Sequence, residues 1–467
     1  MRALIAILIM VHPIVAIAQG HPLIDWDKIG DESIDFMVDL VRIDTSNPPG
    51  NETEVVDYLK AVLAKERIPF EIYALDPNRA NLVARYKGNG SKRPLLIMGH
   101  TDVVGVQADK WNEAPFGALR KDGYIWGRGT LDDKDNLTAG LMVMLMLHRL
   151  DIEMDRDIIL LAESGEEGTP EVGINFMVEE HWDAIAAEYA IAEGGSMQDV
   201  DGHVHMVGVQ TTEKKIRRAT LVARGTAGHG SRPRTDNAVT MIAEAVAKTG
   251  RWVTPVRFND TTSAYFERLA SISDGEAAFR YANIQNREYQ ADIDAWFRDN
   301  DPLHYSSLRT SVVPTIINAG FRKNVIPSEA KAVLDIRMLP DEDVDAFYRQ
   351  LAEVINNPAI EIVPEKIYRP AARLSSIDTQ MFQAIETVAK RMFPDSTTVP
   401  IMATGGTDMA QLRAKGTQAY GIGPRRTLEE MNSRFGPHSD DERIAEESLK
   451  EMVRFLWNIV IEVGATR

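Results

Sequence analysis

Between residues 94 and 193, short apolar runs alternate with segments of helical period, and each run leads into a histidine or an acid. The run 95–98 leads to His100-Thr101-Asp102, the run 158–162 to Glu163-Ser164-Gly165-Glu166-Glu167-Gly168, and the run 189–192 to Glu193. Residues 136–150 and 173–180 carry apolar side chains at helical spacing. Strands alternating with helices predict an α/β fold with a mostly parallel central sheet covered by helices. In such sheets ligands bind beyond the carboxyl ends of the strands, which is where these polar residues fall.

Each element has a chemical reading and a plainer one. Residues two apart on a strand face the same way, so His100 and Asp102 can share a site, and a carboxylate commonly holds the second nitrogen of a ligating imidazole. The same pair also suits a hydrogen-bonded surface turn. In Trp126-Gly127-Arg128-Gly129-Thr130-Leu131-Asp132-Asp133-Lys134 a glycine-bearing loop delivers carboxylates just before a helix. A carboxylate can bridge two cations, which an imidazole cannot, but either aspartate would also serve as a helix cap. Adjacent side chains in extended backbone point apart, so of Glu166 and Glu167 one can hold a metal while the other faces an attacking water. A solvated acidic turn is the alternative. Glu193 before Gly194-Gly195, and His438 in Phe435-Gly436-Pro437-His438-Ser439-Asp440-Asp441-Glu442, complete the set. With no cysteine in the chain, any metal rests on His, Asp and Glu.

The remaining segments predict the organisation. Residues 34–43 have helical spacing, broken by Thr45-Ser46-Asn47-Pro48-Pro49-Gly50, and Asn51 with Glu54 resembles a capping box opening a helix to about residue 67. From about residue 212 the pattern changes to a smaller α+β arrangement: a strand over 219–223, a helix over 236–249, and strands over 315–321 and 330–336 around Asn324-Val325-Ile326-Pro327. A chain of 467 residues is long enough for two domains. The predicted division is a catalytic domain over 19–211 and 341–467 with an inserted domain over 212–340. Residues 254–310, rich in aromatics and acids, receive no assignment.

Met1-Arg2, the apolar run 3–17 and the small-x-small end Ala16-Ile17-Ala18 predict an export signal cleaved after Ala18 and a periplasmic or secreted protein. No later segment is apolar for long enough to span a bilayer, so no integral membrane segment is expected after cleavage. A formal net charge of -17 argues against nucleic acid and anionic membranes as partners, since both reward clustered Lys and Arg.

Taken in order, these elements resemble the M20 family of metallopeptidases and deacylases, which includes glutamate carboxypeptidases, aminoacylases and succinyl-diaminopimelate desuccinylases. Gly127-Arg128-Gly129-Thr130-Leu131-Asp132-Asp133-Lys134 is most similar to the branch with carboxypeptidase S and secreted N-acyl-amino-acid hydrolases. The resemblance implies a zinc-peptidase-like catalytic domain with a ferredoxin-like lid or dimerisation domain. It implies two Zn2+ ions, with Co2+ or Mn2+ as substitutes. Asp132 would bridge them, His100 and Glu193 would hold one and Glu167 and His438 the other. Glu166 would be the general base, Asp102 would orient His100, and the Asp132–Asp133 peptide would be cis. In the smaller domain, Gly225-Thr226-Ala227-Gly228-His229-Gly230 is similar to the loop whose histidine reaches the partner subunit's site in a homodimer. Asn324 matches a second such residue, Arg337 a carboxylate-binding arginine, and Gly405-Gly406-Thr407-Asp408 a loop that meets the substrate carboxylate through backbone donors. The implied substrates are small peptides with a free carboxylate, cut as by a carboxypeptidase or dipeptidase, or N-acyl amino acids. A catalytically silent metal- or peptide-binding protein on the same scaffold is the alternative from another class.

Overall fold

The computed structural model describes residues 24–367, 369–371 and 373–466, so the expected signal lies outside the described residues. The chain forms two compact units: residues 24–209, 375–399 and 416–466 make the first, and residues 210–374 and 400–415 the second.

The first unit is built on the expected sheet. Leu95–His100 runs parallel to Ile158–Glu163 on one side and to Tyr189–Ala192 on the other, and Tyr189–Ala192 runs parallel to Gln418–Gly421. Asn81–Tyr86 and Phe70–Tyr73 extend the edge antiparallel. All residues of Leu95–His100 and Ile158–Glu163 are buried. Such continuous apolar runs mark strands covered on both faces.

Helix Lys134–Arg149 is buried from Lys134 to Leu147 and shares one core with Trp26–Arg42, Gln380–Met392 and the last helix, Glu446–Gly464. Leu137, Leu141 and Leu145 share that core with Met452, Leu456 and Ile459. Each such side chain contributes ~1.5–3 kcal/mol on burial. The helix lies close to the strand because Gly99 has no side chain: a Cβ there would stand 2.9 Å from the Leu137 amide nitrogen. That contact sets the helix N-terminus beside His100. Lys134 is fully buried and donates from Nζ to the Leu40 and Ile43 carbonyls at 2.9 and 2.8 Å, tying down the end of helix Trp26–Arg42. Burial pulls its amine down to about 7.

The second unit carries a four-stranded sheet in which Lys215–Arg224 pairs antiparallel with Glu329–Met338 and with Ile360–Pro364, and Ser311–Ala319 forms the far edge. The chain returns to the first unit at residue 375, not 341, because Ile360–Pro364 hydrogen-bonds into the smaller sheet and Val344–Ile355 packs into its core through Phe347, Leu351 and Ile355. Residues 254–310 form four helices, Asp260–Ser271, Gly275–Asn283, Gln290–Asn300 and Pro302–Ser307, around Phe266, Ile293 and Phe297. In the first unit, the capping box at Asn51 and Glu54 is also absent. Helix Thr53–Lys65 has Glu52 at its N-cap position with no side-chain cap, and the buried Glu52 carboxylate pairs with Arg79 instead. Among the described residues, no helix is long and apolar enough to cross a membrane.

Candidate metal centre

Within the first unit, the carboxyl ends of the parallel strands bring His100, Glu166, Glu167 and Glu193 together, and two loops add Asp132, just before helix Lys134–Arg149, and His438. His100, Glu166 and Glu193 offer ligand atoms within 4.8 Å of one another, and so do His100, Asp132 and Glu167. Asp132 stands between two imidazoles: its Oδ1 lies 2.9 Å from His100 Nε2 and its Oδ2 3.1 Å from His438 Nε2. His438 Nε2 also lies 3.0 Å from Glu167 Oε1. His438 has φ +62°, a left-handed conformation uncommon outside glycine.

The support of this cluster can be followed residue by residue. The peptide bond between Asp132 and Asp133 is cis. Asp133 points away from the cluster, its Oδ2 accepting the His100 amide at 3.2 Å and its Oδ1 accepting Asn136 Nδ2 at 2.5 Å. Gly165 has φ +82°, and a Cβ there would fall 2.4 Å from the Thr169 carbonyl oxygen. The turn it permits aims Glu166 and Glu167 at different members of the cluster. Asp102 is wholly buried, and its two oxygens accept the amides of Glu166 and Glu167, each at 3.1 Å. The orientation of His100 differs in detail from the expectation: Nδ1 meets the backbone carbonyl of Asp102 at 2.9 Å, while the Asp102 carboxylate is 3.5 Å away. Asp102 therefore fixes the Glu166-Glu167 turn as much as it fixes His100.

Two further supports were not visible in the sequence. Glu442, fully buried, accepts Arg128 Nη1 at 2.5 Å and the Leu131 amide at 2.7 Å, joining the loop that ends in Asp132 to the loop of His438. Asn47 Nδ2 donates to Asp102 Oδ2 at 2.8 Å and to Thr169 Oγ1 at 3.0 Å, and Thr169 also accepts Arg79 Nη1 at 2.6 Å. The sequence shows Asn47 only as part of a helix-breaking turn; its partner is far along the chain. Truncating such an outer partner typically costs ~10- to 100-fold in activity or metal affinity. Asn47→Ala is expected to lower kcat by about 10-fold with KM changed by less than about twofold, measured by steady-state kinetics.

The electrostatics identify what the cluster can hold. Burial pushes the Glu193 carboxyl well above its ordinary range, with Glu166, Asp132 and Asp133 adding repulsion. Burial alone would raise Asp132 too, but hydrogen bonds from His100 and His438 hold it well below. Hydrogen bonds to Asp132 and then Glu167 lift His438 to about 10. His100 is raised despite its burial by the carboxylates of Asp102 and Asp132. Four carboxylates and two imidazoles converging at a strand end need compensating positive charge, which protons supply only in part. All the donors are oxygen or imidazole nitrogen, which suit zinc and similar divalent ions, and the two donor groups match a dinuclear metal-binding site.

The residues expected to bind substrate lie in the second unit. Gly228–His229 pairs with Val325–Ile326, and the Gly230 amide donates to the Asn324 carbonyl at 2.8 Å, so His229 and Asn324 are neighbours. His229 is exposed, with Nδ1 2.7 Å from Ser231 Oγ. Arg337 Nε donates to Asp335 at 2.6 Å, and its Nη1 reaches the Thr404 carbonyl at 3.5 Å, two residues before Gly406. Thr407 corrects an expectation: its amide and hydroxyl both donate to the buried Glu213, at 2.9 and 2.7 Å, so neither is open to a substrate carboxylate. Glu213 also accepts Arg413 Nη1 at 3.0 Å.

Comparison with known proteins agrees with this geometry. The signature of peptidase family M20/M25/M40 matches residues 96–462. Human N-fatty-acyl-amino acid synthase/hydrolase PM20D1 is 26% identical over 379 residues, covering 79% of this chain and 74% of that protein. Probable carboxypeptidase S-like 2 of Dictyostelium discoideum is 27% identical over 402 residues, covering 81% and 74%. Among solved structures, the M20 family metallo-carboxypeptidase Sso-CP2 from Sulfolobus solfataricus superposes with a TM-score of 0.70 at 18% identity, covering 93% of this chain and 99% of that one. With the signature spanning the sheet, the donor loops and the last helix, this chain belongs to the M20 family of metallopeptidases and amidohydrolases.

Proposed function

We propose that the protein hydrolyses the amide bond of small peptides bearing a free carboxylate, using two Zn2+ ions held by His100, Asp132, Glu167, Glu193 and His438. The observation that carries this reading is the Asp132 carboxylate, which offers one oxygen toward each of two imidazoles. Distance alone would let Glu166 serve as a ligand beside His100 and Glu193. We assign it as the general base, the role that the resemblance to the M20 family implies for it, with Glu167 as the ligand.

When bound, the ions polarise the scissile carbonyl and acidify water. The chain's residues do the rest. Glu166 takes a proton from the attacking water and returns it to the leaving nitrogen. Asp102 keeps the Glu166 turn in place through the backbone amide contacts above. Arg337 and the Gly406 loop are proposed to receive the substrate carboxylate, and His229 and Asn324 to act across a homodimer. The dimer reading draws on the sheet edge Ser311–Ala319, where Val313, Ile316 and Ile317 are exposed, with Phe321 just beyond. Unpaired apolar edges are templates for pairing with a second copy. Scattering is expected to give twice the chain mass.

The reading is tested with zinc-loaded protein on a panel of dipeptides and N-acyl amino acids, with products identified. Cleavage of peptides fits the proposal. Cleavage confined to N-acyl amino acids moves the assignment to a deacylase, the reaction class named for the human relative. No turnover with both ions bound favours a silent binding protein. Export is proposed as well, and sequencing of the mature N-terminus is expected to begin at Gln19.

A further inference from the structure

A cleft within the first unit opens beside Asp132 and Glu193, walled by Gly194, Gly195, Gly423 and Pro437, with Arg426 as its one basic side chain. The two acids are metal ligands in the reading above. Arg426 is then the only charged group of the cleft left for a ligand.

Arg426 differs from its neighbour Arg425, which forms ion pairs with Asp199 and Glu451. The half-buried Arg426 guanidinium makes a single hydrogen bond, from Nη2 to the Glu430 carbonyl at 2.7 Å, and among the described residues it forms no ion pair. The acids around it are otherwise engaged. The Glu430 carboxylate accepts the Tyr124 hydroxyl at 2.8 Å and the Thr427 amide at 2.8 Å. Glu442 is held by Arg128. Asp135 is fully buried, and burial followed by repulsion from Asp133 pushes its carboxyl far up, toward the neutral form.

The guanidinium is also held in place. The capping box of Thr427 and Glu430 fixes the short helix that presents the Glu430 carbonyl. The same Nη2 lies against Gly436, where a Cβ would come within 3.2 Å of it. Gly436 stands two residues before His438, so Arg426 is tied to the loop that carries a metal ligand. A partly desolvated, oriented guanidinium with unused donors is a carboxylate receptor, because the planar fork matches both oxygens at once.

We infer that Arg426 binds a second anionic group of the substrate, a carboxylate on the acyl side of the scissile amide, and so selects acidic acyl groups. The inference rests on the amide-hydrolase reading, and it adds a charge requirement to it.

The test compares isosteric pairs with zinc-loaded full-length enzyme: the dipeptides aspartyl-leucine and asparaginyl-leucine, and N-succinyl-leucine with N-succinamoyl-leucine. The expected result is that kcat/KM favours the acidic member by about 10-fold or more, the size of a charge-assisted hydrogen bond. Arg426→Gln should collapse that ratio toward one, Arg426→Lys should keep part of it, and Arg426→Glu should invert it. The ratio is read within one variant, so a general loss of folding or metal does not imitate the effect. Turnover of all four compounds without preference, or a ratio unchanged in Arg426→Gln, overturns the inference and leaves the hydrolase reading intact. No turnover of any of the four by an enzyme that cleaves other members of the dipeptide panel overturns the inference alone, and no turnover anywhere on the panel overturns both.

Discussion

Replacing Glu166 by glutamine is expected to lower kcat by ~100- to 10,000-fold, the usual contribution of a positioned general base, while the protein keeps both metal ions. Glutamine has the shape of glutamate, and the Glu166 backbone amide stays bound to Asp102 Oδ1 at 3.1 Å whatever the side chain. The turn therefore survives and only the proton acceptor is lost. None of the five proposed ligands changes, so the bound metal measured by mass spectrometry should equal that of the unaltered protein. Activity within about threefold of the unaltered enzyme would remove Glu166 from the role of base. Loss of an ion would make it a ligand instead, the other position its 4.8 Å grouping with His100 and Glu193 permits.

Removing the metals should abolish turnover and make stability strongly dependent on pH. In the metal-free protein His438 is raised to about 10, first by its hydrogen bond to Asp132 and then by Glu167. In the unfolded chain a histidine titrates near ~6.5. A group raised in the folded state stabilises fully below its unfolded pKa, and that contribution is lost as pH rises through its folded value. The Glu193 carboxyl, raised by burial and by its acidic neighbours, acts in the same direction: it favours the folded state while protonated. The melting temperature of chelated protein should thus fall as pH climbs from about 6.5 toward 10. Metal-loaded protein should not show this fall, because bound ions hold the same ligands deprotonated, and apparent metal affinity should rise with pH as protons compete less. Thermal melts with and without chelator across that range check it. Parallel curves would mean that the cluster is not where the ions bind.

The first unit was legible because three of the five proposed ligands, His100, Glu167 and Glu193, close or follow a buried parallel strand, and such a strand is an uninterrupted apolar run. His100, Glu166, Glu167 and Glu193 are therefore marked locally by what precedes them. Asn47, Arg128 and Glu442 are not marked, since their meaning lies in partners as much as 314 positions away. The helices of residues 254–310 escaped for a different reason. Gly275–Asn283 buries no residue fully, and Gln290–Asn300 buries only Ile293 and Phe297, so these two helices bury no apolar stripe of their own. Their core is aromatic and shared, with Phe266 stacked on Phe297 and His304 against both. The misplaced return to the first unit has a similar origin. Ile360–Pro364 is a largely exposed edge strand, and only its pairing with Lys215–Arg224 shows where it belongs. Thr407 shows that a matching motif does not settle which donors are free: Glu213, with no motif of its own, takes them.

Whether Asp132 bridges a pair of ions is read from an anomalous difference map at the zinc edge, from crystals of the zinc-loaded protein. Two peaks ~3.5–4 Å apart are expected, one Asp132 oxygen on each, with His100 and Glu193 at one peak and Glu167 and His438 at the other. A single peak, or two peaks bridged by Glu166 with Asp132 turned away, would contradict it.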